Sequence, residues 1–311
     1  MAFAQGGVVI KSAKKKSALN VMPKGFIAIC VLPGLSLVLL FLIYPLVSSL
    51  IMSFTNATSL SMGTWQFTGF ANYFRMFTND MHFITALRNT FQLLAIVPAV
   101  VIFLSLLFAF LLTQSKLKER GVYRVLFFLP SVLSMVVVAV VFSALFDPRA
   151  SGPINSFLAN FGVEPISWLG DPAFAIWAIT IVMIWQAVGY YMVLLIAAID
   201  SISRDIFEAA DIDGATSKTK LFRITFPMLR DQIGITYVLA LSGTMGISFI
   251  LGRVMTNFGP GTATLVLLGH MYNMAFGAAA FGYAMAIAVF SMLLALAMSY
   301  ISRKLTYRSE L

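Results

Sequence analysis

One short stretch concentrates the charged side chains of a chain that otherwise has few. It reads EAADIDGATSKTKLFRITFP from Glu208 to Pro227, and it holds three acidic and three basic residues. Carboxylates at this density could bind a metal if histidine or cysteine joined them at ligand spacing. The only histidines, His82 and His270, and the only cysteine, Cys30, lie far away in the sequence. We therefore predict no metal site in this stretch.

The sequence also lacks a motif for binding the phosphates of ATP. A loop that cradles ATP phosphates needs the pattern G-x-x-x-x-G-K-[ST], and the sequence contains no Gly-Lys pair at all. We expect that any ATP, with its Mg²⁺, is bound and hydrolysed by partner subunits. This chain is predicted to bind no cofactor and not to be an enzyme.

The composition indicates a membrane protein. Of the 311 residues, 60% are hydrophobic and 11% are charged, whereas soluble domains carry about 25% charged residues. Windows without charge are long enough to cross a bilayer. We predict an all-α membrane protein with six spans, at about residues 26–52, 90–113, 125–146, 173–199, 233–251 and 282–300.

The basic residues set the predicted orientation. All but Arg75, Arg88, Arg149 and Arg253 fall in segments that share one side of the membrane, which places both termini in the cytoplasm. The net charge of +9 therefore indicates topology rather than nucleic acid. We expect a multi-pass protein of the cell membrane, with a disordered basic tail at 1–22, a transmembrane domain at 23–311 and a cytoplasmic loop at 200–230.

Local signals divide that loop into helix, turn and helix. Residues 201–212 form a predicted helix capped by Ser201 or Ser203, Gly214 ends it in a left-handed turn, and a second helix at 216–225 stops at Pro227. The apolar side of the first helix is predicted from the residues Ile202, Ile206, Ala209, Ala210 and Ile212. By pattern alone, the loop is either a projecting knob, an ordinary solvated loop or an amphipathic helix on the lipid surface.

The same loop carries the chain's most specific resemblance. It is similar to the cytoplasmic signature of importer-type ABC permeases, which it matches at Glu208, Ala209, Ala210, Gly214, Ile224 and Pro227. Asp213 and Ala215 complete the DGA form of the carbohydrate-uptake members, whereas Phe226 stands where leucine is usual. Further landmarks resemble maltose- and glycerol-phosphate-type permeases: FTGFANYFRMF at 67–77, ALRNT at 86–90, FFLP at 127–130, WLGDP at 168–172 and MTNFGP at 255–260.

The resemblance implies a function and a set of partners. The chain would be one permease subunit of a binding-protein-dependent importer of a sugar or polyol that works by alternating access. Its partners would be a second permease subunit in a heterodimer, a cytoplasmic ATPase dimer and an extracytoplasmic solute-binding protein, with no nucleic acid. The contacts with the ATPase would come from Glu208, Ala209, Ala210, Asp213, Gly214 and Ala215.

A solute path for sugars needs hydrogen-bonding groups and flat rings inside the membrane, because an unpaired hydroxyl in hydrocarbon costs several kcal/mol. Two spans supply them: the fourth with Trp185, Gln186, Tyr190 and Tyr191, and the fifth with Ser242, Thr244 and Ser248. The alternative is that these residues only pack helices together.

Two other functions remain open from the sequence. A secondary carrier would usually place an ionisable residue inside the membrane, and the predicted spans carry essentially none. A lipid-handling membrane enzyme would need a catalytic carboxylate or histidine at the interface, and the sequence places none there convincingly.

Overall fold

The computed structural model describes residues 24–58, 65–114 and 119–306. The basic tail predicted at 1–22 lies outside the described residues. The chain divides into two compact units, one ending at Ser49 and the other running from Leu50 to Leu311.

The described part of the first unit lies within helix α1, Gly25–Met52, which is long and apolar enough to cross a membrane and whose last residues, 50–52, belong to the second unit. Its middle contains a π-helical turn, Leu39–Ile43, in which the Tyr44 N–H donates to the carbonyl of Leu39. The turn ends two residues before Pro45, which has no N–H to donate. The wider turn thus absorbs the break in the hydrogen-bond ladder without ending the helix.

The described part of the second unit consists of helices joined by turns and loops, with one isolated bridge between Thr55 and Phe67. Its main helices are α2 (Ala71–Thr78), α3 (Met81–Gln114), α4 (Arg120–Val132), α5 (Met135–Leu145), α6 (Pro153–Ala159), α7 (Pro172–Asp200), α8 (Arg204–Ile212), α9 (Arg230–Leu251), α10 (Leu267–Tyr272) and α11 (Phe281–Thr306). Within the described ranges, α1, α3, α7, α9 and α11 are long and apolar enough to cross a membrane, and α4 with α5 makes a sixth span if the pair is counted as one.

Helix α3 begins nine residues before the predicted start of the second span at residue 90. The difference arises from Asp80, whose Oδ1 accepts a hydrogen bond of 2.9 Å from the Phe83 N–H and so caps the helix. The prediction used the charge of Arg88 to mark the membrane boundary. The helix itself continues past that charge to its cap.

The third span, predicted as one helix at 125–146, is two helices that meet at 96°. Leu133 and Ser134 both have extended backbone, with ψ of 141° and 132°, so the i to i−4 ladder cannot pass through them. The two halves pack on different partners: α4 lies on α7, whereas α5 lies on α9 and the turn that follows it. A uniformly apolar run does not reveal such a division.

The core of this unit lies where α3, α7, α9 and α11 meet. Phe83, Met183 and Ile287 are fully buried there, and α3 packs along most of α7. These four helices form the frame from which the remaining segments project.

Candidate functional site

The predicted knob is a defined structure, which we place at 201–229. Helix α8 begins after Ser203, whose Oγ accepts a hydrogen bond of 3.3 Å from the Asp205 N–H. The prediction allowed Ser201 or Ser203 as the cap, and the structure selects Ser203. Asp205 follows in the first turn, where its charge complements the helix dipole.

Gly214 ends α8 in a Schellman motif. Its φ is +72°, the Ala215 N–H donates to the Ala210 carbonyl at 2.9 Å, and the Gly214 N–H donates to the Asp211 carbonyl at 3.1 Å. This is the hydrogen-bond pattern that a left-handed residue after a helix produces. The chain therefore reverses tightly, as the Asp213–Gly214 pair predicts.

The second half of the knob differs from the predicted helix at 216–225. It consists of a short turn, Ser217–Thr219, a π-helical turn, Lys220–Thr225, and a last turn, Phe226–Met228. Pro227 does not stop the helix, because the helical turns continue through it to Met228. The break comes at Leu229, just before α9.

The two halves of the knob are joined by an ion pair between Lys220 and Asp211. The Lys220 side chain is only 10% exposed, whereas that of Asp211 is 65% exposed. A buried ammonium without a counter-charge would be strongly destabilising. The pair therefore fixes how the second half folds back onto the end of α8. The sequence analysis assigned no role to either residue.

The buried face of α8 is not the one predicted. Phe207 and Ala210 are buried, and Ile202 just before the helix is buried with them. By contrast, Ala209 is exposed and Ile212 is 88% exposed. The prediction placed Ala209 and Ile212 on the apolar side and left out Phe207, but at 100° per residue Ala209 and Ile212 point away from Phe207.

The residues predicted to contact an ATPase therefore fall into two groups. Glu208, Ala209, Asp213 and Gly214 are exposed, Ala215 is half-buried, and Ala210 is buried beneath them. Together with Ile212, the exposed residues form a surface at the tip of the knob that has small side chains, carboxylates and one large apolar side chain.

A polar cavity of about 660 Å³ lies beside the knob. Three arginines line it, Arg120, Arg124 and Arg204, together with Glu208 on α8. Arg124 also pairs with Asp200 at 3.6 Å, which ties the start of α4 to the end of α7. The ends of α4 and α7 nearest the knob are therefore joined to each other.

The residues proposed for a solute path do not form one open site. Tyr191 and Thr244 are buried and line a small cavity of about 20 Å³ between α3, α7 and α9. The hydroxyls of Thr244 and Ser248 donate to carbonyls of their own helix, Ala240 at 2.8 Å and Met245 at 2.9 Å. This space holds no more than about one water molecule.

The other predicted path residues lie elsewhere. Trp185 lines an apolar cavity of about 540 Å³ between α3, α4 and α7 and contacts Phe142 edge to face, with ring centroids 5.0 Å apart. Gln186 is buried, whereas Tyr190 and Ser242 are exposed on α7 and α9. Of the seven predicted residues, only Tyr190 and Ser242 present a polar group on an exposed helix face away from that apolar cavity.

A second polar cluster lies at the opposite end of α3. Asp80 Oδ2 lies 2.7 Å from His270 Nε2 and accepts a hydrogen bond of 2.6 Å from the Tyr283 hydroxyl. Burial acts to raise the pKa of Asp80, but the hydrogen bonds from Tyr283 and His270 outweigh it, and the pKa lies below its usual value. No group of metal-ligating side chains occurs in the described ranges.

A loop on the same end is organised by a single asparagine. Asn155 Oδ1 accepts hydrogen bonds from the Trp168 indole at 2.9 Å and from the Ile166 N–H at 3.2 Å, while its Nδ2 reaches the Asp147 carbonyl at 3.3 Å. These hydrogen bonds hold the WLGDP landmark at 168–172 against the loop that contains Asn155. In the same loop the Arg149 guanidinium holds the pKa of Asp147 at about 2.

Taken together, a bundle of apolar helices long enough to cross a membrane, with a capped helix–turn–helix knob between two of them, defines a multi-pass membrane protein. Comparison with known proteins identifies the family to which this membrane protein belongs. Residues 83–307 match the family described as "Binding-protein-dependent transport system inner membrane component". The chain belongs to this family.

Two relatives illustrate the match. The chain is 33% identical over 79% of its length to the lactose transport system permease protein LacF of Rhizobium radiobacter, covering 82% of that protein. It is 35% identical over 72% of its length to the diacetylchitobiose uptake system permease protein NgcF of Streptomyces coelicolor, of which it spans 66%.

The fold is shared with a solved transporter. The chain superimposes with a TM-score of 0.80 on a chain of a bacterial ABC transporter involved in the import of the acidic polysaccharide alginate, at 23% identity, covering 92% of this chain and 96% of that one. A likeness at this identity supports the fold. The family match and the relatives do not favour a secondary carrier or a lipid-handling enzyme.

Proposed function

We propose that this chain is one of two permease subunits of an ATP-driven importer for an oligosaccharide or a related polyol. The substrate class is supported by the relatives, whose names specify lactose, diacetylchitobiose and arabinooligosaccharides. The partners would be a second permease subunit, an ATPase dimer that carries ATP and Mg²⁺, and a solute-binding protein. Both termini would lie in the cytoplasm with the knob.

The observation that carries this proposal is the tip of the knob. Ile212 is 88% exposed on a rigidly capped turn. A large exposed apolar side chain beside alanines and carboxylates is suited to insert into a pocket on another protein. Small Ala209 and Gly214 would let the knob approach the ATPase surface closely. Glu208 and Asp213 would pair with basic groups there.

The pinned structure of the knob suits the transmission of force. ATP-driven closure of the ATPase dimer would draw the two knobs of the permease pair together, and hydrolysis would release them. The Lys220–Asp211 pair keeps the knob rigid, and the Arg124–Asp200 pair passes its movement to α4 and α7. As a result, the solute path would open alternately to the two sides of the membrane.

For the solute path we favour Tyr190 on α7 and Ser242 on α9. Both are exposed on membrane helices, where an aromatic ring can cover the apolar face of a sugar and a hydroxyl can bind its polar edge. Trp185, Gln186, Tyr191, Thr244 and Ser248 would contribute only if a change of state opened the packing around them. In the described state they support the helices.

The proposal is tested by co-purification. Tagged wild-type chain is expressed with its neighbouring transport genes and compared with Glu208→Arg and Gly214→Pro, while Glu164→Arg, an exposed acid in the 147–171 loop, serves as the charge-reversal control. We expect wild type and control to bring down an ATPase with a P-loop and a second permease. The two knob variants should retain the permease and lose the ATPase. Retention of the ATPase by both variants would contradict the proposal.

A further inference from the structure

Two cavities of opposite character follow one another along the helices α3, α4 and α7. The apolar cavity, of about 540 Å³, has Phe108 and Tyr123 in its lining. The polar cavity beside the knob, of about 660 Å³, has Thr113 and Arg124 in its lining. Tyr123 and Arg124 are adjacent in α4, and Phe108 and Thr113 are about 7.5 Å apart along α3. The two cavities together have the polarity pattern of a site for one amphipathic molecule.

The walls of the apolar cavity are held against each other by close contacts. Ser105 Oγ on α3 donates a hydrogen bond of 2.8 Å to the Val188 carbonyl on α7. Gly189 lets α4 approach α7 so closely that a Cβ there would lie 1.7 Å from the Phe127 carbonyl oxygen. The cavity is therefore built into the packing of the three helices. Its volume lies in the range of about 300–1,000 Å³ that preformed ligand pockets occupy.

The apolar cavity opens at the surface of the helices, where the acyl chains of a bilayer would meet it. Tyr123, Leu126 and Trp185 line it and are exposed. Deeper in the cavity Phe108 and Phe127 stack with ring centroids 4.8 Å apart. Such a surface of aromatic and aliphatic side chains suits a hydrocarbon chain and offers few partners to a sugar.

The polar cavity carries both signs of charge. Its lining holds three arginines and three carboxylates: Arg120, Arg124, Arg204, Asp200, Glu208 and Asp211. The Nε of Arg124 is buried and has no hydrogen-bond partner among the described residues. The 3.6 Å between Arg124 and Asp200 is too long for a hydrogen bond. A ligand with an anionic acceptor and a cationic donor would complete the bonding of both residues.

A phospholipid headgroup can supply both charges. Its phosphate accepts paired hydrogen bonds from guanidinium groups, and basic pockets between membrane helices bind lipid headgroups. A headgroup with only negative charge would leave the carboxylates of the cavity facing an anion. A choline headgroup has a cation without an N–H, whereas a primary ammonium has three donors. The mixed lining therefore favours a lipid with a primary amine.

We propose that α3, α4 and α7 form a binding site for one phospholipid with a primary-amine headgroup, of the phosphatidylethanolamine type. An acyl chain lies beside Trp185 in the apolar cavity, and Arg120 and Arg124 bind the phosphate. Asp200 accepts a hydrogen bond from the ammonium group. The lipid would thereby reinforce the link between α4 and α7 beside the knob. The site lies away from the residues favoured above for the solute path, and its occupation requires neither solute nor ATP.

The test measures quenching of Trp185 fluorescence by lipids with brominated acyl chains. The full chain, purified with its co-purifying subunits, is placed in phosphatidylcholine nanodiscs that contain a rising fraction of brominated phosphatidylethanolamine, phosphatidylcholine or phosphatidylglycerol with identical chains. The difference between wild type and Trp185→Phe isolates the signal of this tryptophan. Arg120→Gln, Arg124→Gln and Asp200→Asn alter the headgroup site. Arg223→Gln is the matched control, because this exposed arginine of the knob lines neither cavity.

We expect the ethanolamine lipid to quench Trp185 at a mole fraction about fivefold lower than the choline lipid does. Arg124→Gln and Asp200→Asn should remove this difference, and Arg223→Gln should keep it. Equal quenching by the two lipids in wild type would overturn the proposal. A preference for the glycerol lipid would also overturn it, since the headgroup would then contact the arginines alone.

A third result would contradict the proposal in a different way. If no lipid quenches Trp185 in wild type, a helix of another membrane subunit covers the cavity instead of a lipid. Arg120→Gln keeps the test decisive if the other two headgroup variants do not assemble, because Arg120 is exposed. It should reduce the preference for the ethanolamine lipid, and an unchanged preference would exclude the arginines as the phosphate site.

Discussion

Lys220 donates a hydrogen bond to the carboxylate of Asp211 across the turn at Gly214, and this ion pair closes the knob. The two residues are nine positions apart and lie on different halves of the helix–turn–helix. Because the lysine is almost entirely buried and the aspartate is exposed, the pair fixes the second half of the knob against the first.

Breaking this pair should uncouple the transporter. We expect Lys220→Met to lower solute uptake by about tenfold, because the second half of the knob loses its fixed position while the exposed tip remains. The exchanged pair Asp211→Lys with Lys220→Asp should recover part of the uptake. Uptake into reconstituted vesicles measures both. Normal uptake by Lys220→Met would show that the pair is not needed.

The turn at Gly214 should tolerate only residues that accept a positive φ. No atom lies within 4 Å of a Cβ built there, so the cost of Gly214→Val is conformational, about 1–2 kcal/mol, and not a clash. We expect Gly214→Val to weaken association with the ATPase and Gly214→Asn to be close to wild type. Co-purification yields compare the two. Equal yields would mean that the left-handed turn is not required for docking.

Acid should destabilise the protein in part through Asp80. Its pKa in the folded state lies below 3.8, so its contribution to stability is present above about pH 4 and is lost as the pH falls through the folded-state pKa. Asp80→Asn should lower the melting temperature at neutral pH and flatten its fall in acid. Tyr283→Phe, which removes one hydrogen bond to the carboxylate, should give an intermediate curve. Thermal unfolding between about pH 3 and 7 measures this. Parallel curves for wild type and Asp80→Asn would contradict the assignment.

The two tyrosines of α7 should behave differently. Tyr190 is exposed and Tyr191 is buried against α9, so Tyr190→Ala should raise the KM for transport or alter the order of preference among sugars. Tyr191→Ala should instead lower the yield of assembled protein, because it leaves a cavity in the packed centre. Transport competition assays and assembly yields separate the two effects. An unchanged sugar preference and KM in Tyr190→Ala would exclude that face from the path.

The sequence was informative where local chemistry decides the structure. The turn at Gly214, a serine cap before α8 and the long apolar helices all follow from residue type and spacing. The knob was also the part of the site that could be predicted, because its signature is contiguous.

The other features of the fold and of the site depend on contacts between residues that are far apart in the sequence. The elbow at Leu133 and Ser134 exists because two halves of one apolar run pack on different helices. Asn89 was noticeable within ALRNT, but the backbone carbonyls to which its amide donates lie more than 170 residues further along the chain. The burial of Tyr191 and Thr244 follows from how α3, α7 and α9 meet, which no single span encodes.

The central claim is that the tip of the knob inserts into an ATPase, and photo-crosslinking at Ile212 tests it most directly. A photoreactive phenylalanine is placed at residue 212 and, as the control, at exposed Val163 on a different loop; products are identified by mass spectrometry. We predict that residue 212 crosslinks to a P-loop ATPase subunit and that residue 163 does not. If residue 212 crosslinks only to lipid or to another membrane subunit while the transporter is active, the knob is not the coupling element.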